Sequence, residues 1–185
     1  MKEAKESCGV MQTVHLYDGI LDYPNPHWVE SKDDLDKMQV YQSQTKNAFT
    51  LEIIPKSQSF ESWTNLYGVY AYKLPDYDIN RFILESKQAL KLGCGGDAEF
   101  ECIEADNGMI ITFHCPQLGE PFVTHGRDSE CGFLFIGQVG KTFVKVYQAW
   151  RGENEYIKTG HWLIKEELID RVFSDMKKIN LYSVN

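Results

Sequence analysis

The chain has 185 residues, a formal net charge of −8, 43% apolar and 13% aromatic residues, which excludes general disorder and allows one domain that buries roughly 70% of its unfolded surface. Its acidity repels nucleic-acid phosphates, and no run of Lys or Arg reverses that locally, so DNA and RNA are excluded as partners and a protein with a basic or amphipathic segment fits. No stretch is apolar for the length a bilayer demands, and the start MKEAKESCGV lacks the apolar region of a secretory signal.

Residues 1–37 are the least regular and read as an irregular N-terminal segment ahead of a single α+β domain over 38–185. Within that segment VHLYDGIL can form a short hairpin about Asp18-Gly19. DYPNPHW is an extended or turning connector, because each proline lacks a donor and pushes its predecessor out of the helical region. ESKDDLDK is a solvated acidic stretch. From Met38 the pattern turns to β: MQVYQSQ alternates, and NAFTLEII puts Phe49, Leu51 and Ile53 on one face. Pro55 stops that ladder, and WTNLYGVYAYKL resumes as an aromatic strand that is apolar on both faces, which places it centrally in a covered sheet.

PDYDINRFILESKQALKLG reads as a helix capped by Asp76 or Asp78, striped by Ile79, Phe82, Ile83, Ala89 and Leu90, with Gly93 as its left-handed C-terminal residue. AEFECIEADNGMIITFHCP is a hairpin. With Asn107-Gly108 as the turn, Cys102 pairs with Phe113 and Glu101 with His114. CGFLFIGQVGKTFVKVYQAWRG is a second hairpin turning through Gly137–Gly140. LIKEELIDRVFSDMKKI closes the chain as a helix striped by Leu168, Val172, Met176 and Ile179. Short connections make the sheet antiparallel and mostly sequential, with about six to seven strands flanked by two helices.

FTLEIIPKSQSFESW followed by LYGVYAYKL, then a helix, two hairpins and a terminal helix, resembles the Mog1/PsbP-type fold and similar uncharacterised bacterial proteins over roughly residues 38–182. The resemblance implies a layered α+β sandwich that works as a binding or assembly factor without enzymatic activity, and it carries no catalytic residues across. A more distant similarity, to acidic adaptors of bacterial type IV secretion, implies a place in a multiprotein secretion complex.

Chemistry can be read from the residues in three ways. Cys131 follows His125 in THGRDSECGF and could act as a thiolate, but its acidic neighbours raise a thiol pKa and CGFLFIG reads as a buried strand. Cys94, Cys102, His114, Cys115, His125 and Cys131 could supply zinc ligands, yet none has the tight C-x₂-C or H-x₃-H spacing, so no metal or cofactor is expected. GCGGD follows a helix instead of opening one, which makes it a helix stop and not a phosphate loop. Five cysteines without CxxC spacing favour reduced thiols in the cytosol, or the periplasm if a signal has been removed, with Cys102 and Cys115 brought near on one hairpin.

The expected function is therefore a non-enzymatic protein-binding, adaptor or assembly module. IIPKSQSFESW is a structural crossover or a ledge, and the expected contacts are Ser57, Gln58, Phe60 and Trp63 there, with Tyr147, Trp150 and Arg151 from YQAWRG. The alternatives are a small Cys/His-dependent hydrolase or thiol redox protein, and a small-ligand or lipid carrier, which needs an apolar cavity between helix and sheet.

Overall fold

The strand patterns build one seven-stranded antiparallel sheet. In the computed structural model, which describes residues 11–95, 97–153 and 162–184 except the side chain of Lys32, the elements are β1 (Met11–Leu16), β2 (Gly19–Pro24), β3 (Met38–Gln44), β4 (Ala48–Pro55), β5 (Asn65–Lys73), α1 (Ile79–Gly93), β6 (Glu99–Ala105), β7 (Gly108–Cys115), β8 (Ser129–Val139), β9 (Thr142–Gly152), α2 (Glu166–Met176) and β10 (Asn180–Ser183). The large sheet runs β3-β4-β5-β9-β8-β7-β6. After β5 the chain crosses by way of α1 to the far edge, then meanders back through β6, β7 and β8, so that β9 closes against β5. The strand expected to be central is indeed interior, with Tyr67, Val69 and Ala71 fully buried.

Alternation gives the sheet two faces. One carries Ile111, Leu134, Ile136 and Phe143 and is covered by α1 through Phe82. The other carries Val69, Ile110, Phe133, Phe135 and Val146 and meets Val172 and Met176 of α2. The expected hairpin near Asp18 forms, with Tyr17 and Asp18 as its two loop residues and Tyr17 at a φ of 47°. Residues 11–24 are thus regular structure, contrary to the reading of 1–37 as irregular: β2 also pairs with β10, and this three-stranded sheet buries Leu16, Leu21 and Tyr23 in the core of the second face. The Tyr67 hydroxyl donates to the Pro24 carbonyl at 2.5 Å and anchors the end of β2.

Three local expectations need correction. In the β6–β7 hairpin the loop residues are Asp106 and Asn107, with Ala105 opposite Gly108, so Cys102 faces Ile111, Glu101 faces Thr112 and His114 faces Glu99. Gly108 is glycine because of close packing, not turn geometry: a Cβ there would stand 2.1 Å from the Ile136 carbonyl oxygen. The shift is by two residues, so every side chain keeps the face expected of it. The β8–β9 turn falls later than expected, with β8 ending at Val139 and Gly140 at a φ of 55°. For α1 the cap is Asp78, whose Oδ1 accepts from the Arg81 amide at 3.0 Å, and the left-handed residue beyond the helix is Gly95, not Gly93.

The expectation of reduced thiols is also overturned. Cys94, just past α1, and Cys115, the last residue of β7, form a disulfide with a Cα–Cα distance of 5.3 Å. Cys115 pairs with the cysteine at the helix end and not with Cys102, which is exposed on the outer strand. Among the described residues no helix is long and apolar enough to cross a membrane.

Candidate functional site

The 56–64 loop spends its polar groups on itself. Gln58 Oε1 accepts from the amides of Thr64 at 2.7 Å and Asn65 at 3.2 Å, while Gln39 Nε2 donates to the carbonyls of Gln58 at 2.6 Å and Lys56 at 3.0 Å. The hydroxyls of Ser59 and Ser62 lie 3.0 Å apart, and Arg127 Nη1 donates to the Ser62 carbonyl at 2.6 Å. Phe60 is half-buried edge-on to Tyr41, and Trp63 is buried at 7% exposure, which leaves Ser57 as the exposed member of the expected ledge. This is how a crossover satisfies its backbone, through side chains such as Gln58.

The expected contact residues of β9 divide between the two faces. Trp150 lies at 3% exposure on the second face, against Phe133 and His27, and its Nε1 has no partner among the described residues. Arg151, the next residue, points to the first face, as adjacent strand residues must. There it joins Trp63 and Tyr147. Its guanidinium lies 4.0 Å from the centroid of Trp63, its Nε donates to Glu130 Oε2 at 2.7 Å and its Nη1 donates to the Phe122 carbonyl at 3.3 Å. Tyr147 donates its hydroxyl to the other Glu130 oxygen. Glu130, the centre of this cluster, was invisible to a reading that treated it only as an acidic neighbour of Cys131. The signal that could have found it was the alternation of β8, which turns it inward beside Cys115 on β7.

This cluster borders a cavity of about 300 Å³ between α1 and the first face, lined among others by Tyr70, Ala89, Leu90, Leu134 and Lys145. Burial lowers the pKa of Lys145, and its ammonium lies 4.9 Å from the centroid of Phe82 and 5.7 Å from that of Tyr72. Burial, then the charges and hydrogen bonds of Glu52 and Glu130 respectively, raise the pKa values of Tyr70 and Tyr147, so both remain phenols.

A second cleft, of about 380 Å³, opens on the other face between β6, β7 and α2. Glu99, Glu101 and Asp170 rim it, and His114, Phe133, Trp162 and Phe173 contribute rings. Trp162 stacks on Phe133 at 4.9 Å and meets His114 edge-on at 4.5 Å. Among the described residues none of those three carboxylates has an ion-pair partner, and the outer edge of β6 has no strand beside it.

Cys131 does not become a nucleophile through His125, an exposed loop residue at a φ of 52°. Its cross-strand neighbour is His114. The thiol is fully buried and burial pushes its pKa up to about 12, so it carries no thiolate at neutral pH. Among the described residues no group of three or more His, Cys, Asp or Glu side chains could hold a metal ion.

Among solved structures, the chain is similar to the Ran-binding protein Mog1p of Saccharomyces cerevisiae, with 10% identity over 93% of this chain and 95% of that one at a TM-score of 0.52. It is also similar to cyanobacterial PsbP (CyanoP) of Synechocystis, with 10% identity over 98% of each chain at a TM-score of 0.45. No protein-family profile matches the chain, and no curated protein sequence does. At this identity the likeness is one of fold, carried by the Mog1p overlap: the protein is an α+β sandwich of the Mog1/PsbP type.

Proposed function

We propose that this protein is a non-enzymatic binding module that receives a basic, partly apolar segment of a protein partner in the cleft between β6, β7 and α2. The observation that carries this reading is the juxtaposition of Glu99, Glu101 and Asp170, none of them ion-paired among the described residues, with Phe133, Trp162 and Phe173. Carboxylates at the rim steer and pair with Lys or Arg, while rings below them take apolar or cationic side chains. The edge of β6, unpaired among the described residues, offers backbone groups to an extended segment as well. The fold likeness to a Ran-binding protein supports a protein partner in general terms, and the net charge of −8 favours a basic one.

Membership of a secretion or other multiprotein assembly is a narrower form of the same proposal and rests on the sequence resemblance alone. The Cys94–Cys115 disulfide favours an oxidising compartment such as the periplasm over the cytosol.

The test is titration of the full chain with an alternating Lys-Leu decapeptide and its Glu-Leu counterpart at two salt concentrations. The Lys-Leu peptide should bind, more weakly at high salt, and a variant carrying Glu99→Lys, Glu101→Lys and Asp170→Lys should lose at least tenfold in affinity. Equal binding of the two peptides, or an unchanged affinity in the variant, refutes the proposal.

A further inference from the structure

The cavity beneath α1 presents a different chemistry. Most of its polar side chains have already spent their hydrogen bonds inside the protein. Ser86 donates to the Phe82 carbonyl at 2.6 Å, Tyr70 donates to Glu52 at 2.8 Å, and Tyr147 donates to Glu130. Arg151 is held by Glu130, by the Phe122 carbonyl and by the face of Trp63. Lys145 is left over. Among the described residues its ammonium has no hydrogen bond and no ion pair, only the faces of Phe82 and Tyr72. The acidic group that acts on it is Glu85, whose carboxylate is already engaged by Arg81 Nε at 2.9 Å and the Tyr77 hydroxyl at 2.9 Å.

A largely desolvated cation without a counter-ion is costly, and ring faces offset only part of that cost. Within the cavity Glu130 and Arg151 neutralise each other, so the lining carries one net positive charge at Lys145. A ligand with a single negative charge fits that balance. A dianion such as a phosphate would bring its second charge beside Glu130, with no second unpaired cation in the lining among the described residues to meet it. The remaining wall is apolar, made of Ala89, Leu90, Leu118 and Leu134. Of the lining residues, Phe122 is 45% exposed. The volume of about 300 Å³ is twice the ~150 Å³ cavity that takes one benzene, so the body has room for roughly two such rings or a medium-length chain.

We infer that this cavity binds a small amphipathic monocarboxylate, with the carboxylate on Lys145 and the apolar body between α1 and β8. Binding gives the ammonium the charge partner it lacks among the described residues, which opposes the lowering of its pKa by burial. The site lies on the opposite face of the sheet from the acidic cleft, so the inference stands independently of the proposed protein-binding role.

Calorimetric titration with decanoate, decanol and decylamine, each below its aggregation concentration, tests it. Decanoate should bind one per chain, at least tenfold tighter than decanol, and decylamine should not bind. Lys145→Met keeps the length of the side-chain stem and should weaken decanoate at least tenfold while leaving decanol unchanged. Ala89→Trp, at an exposed helix position that lines the cavity, should block both while leaving the circular dichroism spectrum intact. Decanoate no tighter than decanol, a Lys145→Met variant that binds decanoate as well as the parent, an Ala89→Trp variant that still binds, or a stoichiometry well above one would each overturn the inference.

Discussion

Arg151 lies with its guanidinium 4.0 Å from the centroid of Trp63 while donating to Glu130 at 2.7 Å, and this links the 56–64 crossover to the centre of the large sheet. The ion pair is largely out of water, with side-chain exposures of 13% for Arg151 and 7% for Glu130. Removing one partner of such a pair leaves an uncompensated buried charge, at a cost of about 3–5 kcal/mol. Arg151→Met should therefore lower the urea midpoint sharply. Arg151→Lys, which keeps the charge but loses the planar stack, should fall between it and the parent. A double variant, Arg151→Met with Glu130→Leu, should be less destabilised than Arg151→Met alone, because no orphaned carboxylate remains. A double variant as unstable as the sum of its singles would mean that the two side chains act separately.

The Cys94–Cys115 bond closes a loop across a sequence separation of 21 and ties the end of α1 to the end of β7. Loop-closure entropy puts its contribution at about 3 kcal/mol. Replacing both cysteines by serine should lower stability by about that amount in denaturant titration, and dithiothreitol should do the same to the parent chain but nothing to the variant.

The architecture was legible because strand alternation and helix periodicity are local signals: Phe49, Leu51 and Ile53 share a face as read, and so do Val172 and Met176. What stayed hidden depends on distant partners. Leu21 lies in a hairpin that looked marginal because the strand completing its sheet, β10, comes from the other end of the chain. Trp150 and Arg151 looked like one contact patch because they are adjacent, although alternation sends them to opposite faces. The disulfide was missed because Cys94 lies beyond a helix, and only the crossover of α1 brings it to Cys115. Lys145 carried no signal at all: its lack of a counter-ion among the described residues is a property of the folded surroundings.

Thiol reactivity separates the binding-module reading from a thiol enzyme. Among the described cysteines two are free, Cys102 exposed and Cys131 buried, the latter with its pKa pushed up to about 12 by burial. Iodoacetamide at pH 7.5, followed by peptide mapping, should label Cys102 readily and leave Cys131 unlabelled until denaturant is added. Rapid labelling of Cys131 in the native protein would revive the hydrolase or redox alternative.

His27 gives the fold a predictable sensitivity to acid. It is largely buried, its Nδ1 lies 3.0 Å from Gln148 Nε2, and the guanidinium of Arg171 is bonded to its carbonyl at 2.7 Å. Burial first, and the charge of Arg171 second, lower its pKa to about 4. In the unfolded chain histidine titrates near 6.5. Between those two values the unfolded state takes up the proton and the folded state does not, so stability falls as the pH drops from about 6.5 to about 4 and is unaffected by this group above that window. The loss can reach about 3 kcal/mol over the window. His114, whose pKa burial also lowers, adds to the slope in the same direction. Asp18, held below the ordinary carboxylate range first by its hydrogen bond from Lys73, responds at lower pH. Urea titrations at pH 7, 5.5 and 4.5 should show this decline in the parent protein and a shallower one in His27→Gln. Identical slopes in the two proteins would mean that the imidazole takes up its proton equally in the folded and unfolded states.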